Sequence, residues 1–300
     1  MDKQLAKRVF LCCCGFLLVI AMMASVLPSA ELIKVSSEKK KVMYLTFDDG
    51  PSQNTQEILD ILDRFHVKAT FFVTAESPDH INMIKEEVKR GHAIGVHTYA
   101  HDYKTIYTSV DGYFKDVEKM NDIIEKQTGK RTKILRFPGG VSNTVSRKYA
   151  SKIMSKLAKK VEEHGYHYYD WNASNGDGNC YTSVDSLINT GLKEVRNQDT
   201  VMMLMHDGGA NKATVEALPT LLNSYIQQGF EFRIIDDTTP VFSSSYCKLK
   251  ANSLHDGRKK EEGCRLWILN EIISNRFTNF FFSIEITLFF KIRLLPSFER

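Results

Sequence analysis

Two adjacent carboxylates, Asp48 and Asp49, close an apolar run, Val42-Met43-Tyr44-Leu45, and Gly50-Pro51 follows at once. The run reads as a buried strand and the Gly-Pro pair as its break, so both acids sit where a strand gives way to a loop. Successive strand side chains point to opposite sides, which lets one Asp hold a metal while the other carries a proton. His97-Thr98-Tyr99-Ala100-His101 sets two imidazoles four residues apart, a spacing that converges on one ion if the segment turns. With Asp49 they form a set of two imidazoles and one carboxylate that leaves a coordination position for water, as catalytic zinc sites do; the same set suits non-haem Fe(II). Arg136-Phe137-Pro138-Gly139-Gly140 adds a guanidinium able to pair with an acid and a turn that exposes backbone N–H groups. Tyr169-Asp170-Trp171 and Leu204-Met205-His206-Asp207 each end a further apolar segment. Each cluster taken singly has a plainer reading: a solvated turn, rim packing by Trp171, or a structural histidine at His206.

The elements that must position these residues alternate along the chain. Strands are expected at 42–45, 69–73, 93–96, 133–137, 166–171, 200–205 and 230–235, from their β-branched and aromatic content. Helices are expected at 54–65, with Ser52 or Asn54 as cap, and at 81–89, 113–127, 146–163, 184–195 and 215–227. About seven strands with six intervening helices is the signature of a parallel α/β architecture. All five polar clusters then fall at the C-terminal ends of parallel strands, the face where barrels and doubly wound sheets assemble active sites. That convergence favours a closed or nearly closed (β/α) barrel over an open sheet.

At 300 residues and 43% hydrophobic content the chain can bury one sizeable core, and a net charge of +4 leaves no nucleic-acid footprint. Weak attraction to an anionic polymer such as a cell wall is compatible with that charge. Lys3, Lys7 and Arg8 precede an apolar stretch from Val9 to Leu27, at the boundary between a long signal-peptide core and a short membrane span. An uncleaved signal-anchor is favoured over a cleaved signal, and the basic flank delivers the remainder outside the cytoplasm. The expected division is 1–30 signal segment, 31–41 polar tether, 42–241 catalytic domain, and 242–300 an atypical, poorly ordered extension. Three cysteines, Cys12, Cys13 and Cys14, lie in the apolar segment; Cys180, Cys247 and Cys264 remain, an odd number with no metal-ligand spacing.

Taken in order, Phe47-Asp48-Asp49-Gly50-Pro51, His97-Thr98-Tyr99-Ala100-His101, Arg136-Phe137-Pro138-Gly139, Asp170-Trp171 and Leu204-Met205-His206 resemble the five motifs of the polysaccharide deacetylase (NodB homology) family over about residues 41–241. The resemblance implies a distorted (β/α) barrel that binds a divalent metal, zinc first, and removes N-acetyl or O-acetyl groups from polysaccharides. It implies Asp49, His97 and His101 as metal ligands, Asp48 as general base and His206 as general acid. Arg136 would orient the base, a main-chain N–H at Gly139 would receive the oxyanion, and Trp171 and Leu204 would form the slot for the acetyl methyl. Two positions depart from the family pattern. Gly139 stands where a Tyr is common, and His167 stands where an Asp often tunes the catalytic His, which leaves Asp170 as a candidate to orient His206. Peptidoglycan N-acetylglucosamine is the first substrate implied; muramic acid residues, chitin oligomers and acetylated xylan stay open because loops shape the groove. Two rivals are an Fe(II) oxygenase, whose usual His-x-Asp-then-distant-His order is missing, and a catalytically silent wall-binding protein, which would need neither Asp48 nor His206.

Overall fold

The computed structural model describes residues 40–236, 238–240 and 242. The signal segment, most of the tether and nearly all of the 242–300 extension lie outside the described residues, as do Cys12, Cys13, Cys14, Cys247 and Cys264. Among the described residues, no helix is long and apolar enough to cross a membrane.

A ten-residue strand, β1 (Lys41–Gly50), is the axis of the fold. One of its edges pairs with β7 (Thr200–His206), and two further parallel partners, β2 (Thr70–Val73) and β8 (Phe230–Arg233), pair with its C-terminal and N-terminal halves. Every ladder is parallel, and the order β5-β4-β3-β2-β1-β7-β6, with β8 on β1, makes one eight-stranded sheet. The remaining strands are β3 (Ala93–Val96), β4 (Ile134–Leu135), β5 (His167–Tyr168) and β6 (Ala173–Ser174).

The period of two divides β1 between two environments. Met43, Leu45 and Phe47 face the helices and belong to the main hydrophobic core, where Phe47 stacks on Phe71 at 5.2 Å, a contact worth about 0.5–1.5 kcal/mol beyond the area it buries. Tyr44 belongs instead to a second cluster with Phe72, Tyr169, Met202, Ile235 and Phe242. Side chains from β1, β2, β7 and the far edge beyond β5 meet there only because the sheet curls, so this cluster fills the concave side. Thr46 and Asp48 continue the same face, opposite Leu204 and His206 of β7. The inner face therefore runs from apolar at one end to charged at the C-terminal end. No ladder joins β5 to β6 among the described residues, so the barrel is curled rather than closed.

Six helices stand near their expected places: α1 (Thr55–Arg64), α2 (Met83–Lys89), α4 (Val110–Thr128), α5 (Ile153–Lys160), α6 (Val184–Glu194) and α7 (Lys212–Gln227). A seventh, α3 (Tyr103–Ile106), went unforeseen; its four residues are too few for a period, and Asp102 caps it by accepting from the N–H groups of Lys104 and Thr105. The α1 cap differs from expectation: Asn54 occupies the position without a side-chain capping bond, its Nδ2 donating to Gly208 O instead, while Ser52 accepts from the Asn54 N–H. The single helix expected at 146–163 is instead a 3-10 turn (Val145–Lys148), α5, and a second 3-10 turn (Glu162–His164), with Lys152 left-handed at φ 56° between the first two. Only Ile153, Met154, Leu157 and Val161 offer a continuous apolar stripe to bury, so the α-helix starts where that stripe starts.

The strand expected at 166–171 is also cut short. After β5 the chain crosses to the opposite edge of the sheet, and Asn172 makes the join with its side chain: its Oδ1 accepts from the Met202 N–H at 2.7 Å and its Nδ2 donates to Thr200 O at 2.9 Å. β6 then pairs with β7.

Candidate active site

The two β1 carboxylates do not part to opposite sides, as strict alternation requires. The β1–β2 register slips between Asp48 and Gly50, and Asp49 adopts a left-handed φ of 70°. This bulge turns the second acid back toward the first. Both carboxylates consequently approach one imidazole: His97 Nε2 lies 3.7 Å from Asp48 Oδ2 and 3.5 Å from Asp49 Oδ1. Gly50 is required here, because a Cβ on it would fall 2.5 Å from Asp207 Oδ2.

His97 leaves the end of β3 with its Nδ1 3.0 Å from the carbonyl of Arg136, so Nδ1 carries the proton and Nε2 presents a lone pair. His101 follows a turn held in left-handed geometry at Thr98 (φ 113°) and at His101 itself (φ 46°), conformations that cost roughly 1–3 kcal/mol each in a non-glycine residue. Asp116 of α4 pins that turn by accepting from the N–H groups of Tyr99 at 2.6 Å and Ala100 at 3.2 Å. His101 Nε2 reaches 3.3 Å from Asp49 Oδ1, and its Nδ1 lies 3.6 Å from Glu76 Oε2.

Asp49, His97 and His101 thus bring three ligand atoms within 4.8 Å of one another. Burial holds the His97 imidazole below its usual pKa despite the nearby Asp48 and Asp49, so it is neutral at physiological pH. Burial pushes Asp49 up, yet the imidazoles of His101 and His206 outweigh it and leave the carboxyl below its ordinary value. Asp49 Oδ1 is buried without a hydrogen-bond donor. An orphaned carboxylate oxygen facing imidazole lone pairs is an arrangement of mutually repelling acceptors, which a cation resolves. The residues fit a divalent ion.

Arg136 is fully buried beside this set. Its Nη1 donates to Asp48 Oδ1 at 2.8 Å and to Thr46 Oγ1 at 2.7 Å, while Nε donates to Tyr169 O at 2.8 Å. The guanidinium stacks over Phe72 at 4.1 Å and lies 5.6 Å from the Trp171 ring. Asp48 therefore has one oxygen fixed by Arg136 and the other turned toward His97.

On the other side of Asp48 stands His206. Its Nδ1 contacts Asp177 Oδ1 at 2.7 Å, and Asp177 Oδ2 accepts from the His206 N–H at 2.8 Å and from Thr214 Oγ1 at 2.7 Å. Burial would lower the His206 pKa, but the Asp177 charge and hydrogen bond, followed by Asp49 and Asp48, push it up to about 10. Asp177 is the partner of His206, and the suggestion of Asp170 is corrected. The Asp170 carboxylate accepts from the Val141 N–H at 3.1 Å and its carbonyl accepts from Arg136 Nη2 at 3.3 Å, so it shapes the Arg136 turn instead. Asp177 escaped the sequence reading because it follows β6, whose two residues left no readable strand; its Gly176-Asp177-Gly178 setting was the available signal.

Gly139 and Gly140 both adopt left-handed φ, 72° and 74°. A Cβ at Gly139 would fall 2.5 Å from the Tyr103 hydroxyl, and one at Gly140 would fall 3.2 Å from the Trp171 ring. The preceding Pro138 carbonyl accepts from Tyr107 Oη at 2.7 Å and Asn143 Nδ2 at 3.1 Å. Leu204, on β7 opposite Thr46, lines the same inner face. All ten residues singled out from the sequence thus lie at the C-terminal end of the sheet or in contact with one that does, and Asp177, Asp116, Glu76 and Tyr103 join them.

The same arrangement has relatives. The family model described as polysaccharide deacetylase matches residues 36–158. The peptidoglycan-N-acetylglucosamine deacetylase of Bacillus cereus is 29% identical over 223 residues, which cover 71% of this chain and 78% of that protein. YheN of Bacillus subtilis (strain 168), named as a candidate polysaccharide deacetylase, is 34% identical over 208 residues, covering 66% of this chain and 68% of its own length. The crystal structure of the catalytic domain of a peptidoglycan N-acetylglucosamine deacetylase from Eubacterium rectale superposes with a TM-score of 0.66 at 42% identity, covering 68% of this chain and 92% of that one. Motif order, curled parallel sheet and a shared sequence over most of these relatives' length agree, and the chain belongs to the polysaccharide deacetylase family.

Proposed function

We propose that this protein is a metal-dependent hydrolase that removes N-acetyl groups from a cell-surface polysaccharide, with the N-acetylglucosamine of peptidoglycan as first substrate. The observation that carries this reading is the donor-less Asp49 Oδ1, which faces His97 and His101 beside the second carboxylate of Asp48. Asp49, His97 and His101 would hold a divalent ion, zinc first, which when bound acidifies water and polarises a carbonyl. Asp48 Oδ2, the oxygen not engaged by Arg136, takes a proton from the attacking water. The Gly139 N–H, on a turn whose neighbouring carbonyl is held by Tyr107 and Asn143, meets the oxyanion as the acetyl carbon becomes tetrahedral. His206, kept protonated through Asp177, donates a proton to the nitrogen as the C–N bond breaks, leaving acetate and a free amine. Trp171 and Leu204 border the slot for the acetyl methyl.

The substrate choice is supported by the relatives named above as peptidoglycan-N-acetylglucosamine deacetylases, and by the basic, apolar N-terminal segment, which would deliver the domain to the outer face of the membrane. Chitin oligomers, muramic acid residues and acetylated xylan are the other sugars to test. A silent wall-binding protein is disfavoured by two buried charge pairs, Asp48–Arg136 and Asp177–His206, which binding alone does not need. Acetate release from a panel of acetylated glycans, with chelator and with zinc restored, tests the reading. Release from peptidoglycan that chelator abolishes and zinc restores is the expected result; release unaffected by chelator, or none from any glycan, overturns it.

A further inference from the structure

Charge along this chain is unevenly placed. Residues 126–161 carry eleven Lys and Arg and not one Asp or Glu, where a stretch of this length at the chain's average would hold about four acids. Two of these cations are accounted for inside the domain: Arg136 is buried in the candidate site, and Arg131 pairs with Glu118, Asp122 and Glu125. Lys160, at the far end, pairs with Glu163. Arg147, Lys148, Lys152, Lys156 and Lys159 are all exposed, and none of them has an ion pair among the described residues.

The local fold explains why the lysines of α5 face outward. Ile153, Met154 and Leu157 anchor one side of α5 in the core, which turns Lys156 and Lys159, three apart, to solvent on the other. Lys152 precedes that helix at its N-cap, and Arg147 and Lys148 lie on the 3-10 turn before it. The row begins at the catalytic rim: Ser146 N donates to Asn143 Oδ1, and Asn143 Nδ2 donates to the Pro138 carbonyl of the site turn.

We propose that this basic row is a docking surface for a linear polyanion with a phosphodiester in each repeat, of the kind that accompanies an acetylated cell-surface polysaccharide. Five exposed cations without an ion pair inside thirteen residues, 147–159, complement a polymer that carries one negative charge in every repeat. A bilayer is the poorer match, since among the described residues the only large apolar side chain exposed beside the row is Tyr149, at 38%. A nucleic acid would need aromatic platforms for its bases, and Tyr149 alone supplies too few. Docking would hold the catalytic rim close to its polymer, so the proposal rests on the function above for its purpose but not for its measurement.

The test measures binding of the full-length chain, in non-ionic detergent, to synthetic poly(glycerol phosphate) across a salt series. The K148Q/K156Q/K159Q variant is compared with a charge-matched control, K85Q/K115Q/K193Q. The row variant is expected to bind at least tenfold more weakly with a shallower salt dependence, while the control changes less than twofold. Equal losses in both variants, no binding by the native chain, or tighter binding to phosphatidylglycerol vesicles or single-stranded DNA would overturn the proposal. Acetate release from a short, uncharged acetylated oligosaccharide should be unchanged in the row variant. Binding that persists in a protein releasing no acetate would sink the enzymatic reading and leave the docking surface standing.

Discussion

At the scale of single residues, the site is an arrangement of paired charges, and each pair has its own signature. Asp48→Asn keeps the shape and the Arg136 contact but removes the proposed base, so turnover should fall by about 10²–10⁴ while zinc binding stays within a few fold. Loss of zinc binding in that variant would instead make Asp48 a ligand. Asp177→Asn should act through His206. With the carboxylate, the imidazole is protonated up to about pH 10; without it, the pKa falls toward the ordinary 6.5. The basic limb of the kcat profile should move to lower pH, with the deficit larger at pH 9 than at pH 6. The linkage to stability has the same sign, because the folded pKa is the raised one. The stabilisation from the Asp177–His206 pair is complete below about pH 6.5 and lost by about pH 10, which denaturant titrations at both ends would read. Gly139→Ala places a methyl against the Tyr103 hydroxyl in a left-handed conformation and should cost about 1–3 kcal/mol, partly recovered by adding Tyr103→Phe.

At the scale of elements, what could be read from sequence was whatever local chemistry decides. Helix α4 was readable because Phe114, Val117 and Ile124 keep the period; its start lies three residues before the expected one, where Ser109 accepts from the Gly112 N–H, and Gly129 ends it at φ 78°. The end of β1 was readable from the Asp-Asp-Gly-Pro break. What tertiary structure decides was not readable. The bulge at Asp49 depends on register with β2, the split of 146–163 depends on which residues find a core, and β6 exists because Asn172 bonds to β7 across the gap. Asp177 was lost with β6, and its role was sought at Asp170 for want of a strand to place it on. The His97–His101 turn shows a similar dependence, since Asp116 of α4 holds it in a strained conformation. Asp116→Ala should weaken zinc affinity by about 10–100-fold, as loss of an outer partner of a metal ligand does. Far-UV circular dichroism should be unchanged, and isothermal calorimetry with zinc is the check; unaltered affinity would mean the turn holds itself.

At the scale of the molecule, parallel strands carry each motif to one end of a curled sheet. Residues far apart in the chain meet there: Asp48 sits opposite His206 in the β1–β7 register, and Arg136, just past β4, donates to Asp48. Along the inner face the side chains change from apolar, at Tyr44 and Met202, to charged, at Asp48 and His206, and the apolar end holds the sheet together. The most direct test is zinc-edge anomalous diffraction from crystals soaked in zinc. One peak within about 2.0–2.2 Å of an Asp49 oxygen, His97 Nε2 and His101 Nε2, with Asp48 outside the coordination shell, is the predicted result. A peak that omits any of the three ligands, or none at this site, would contradict the account.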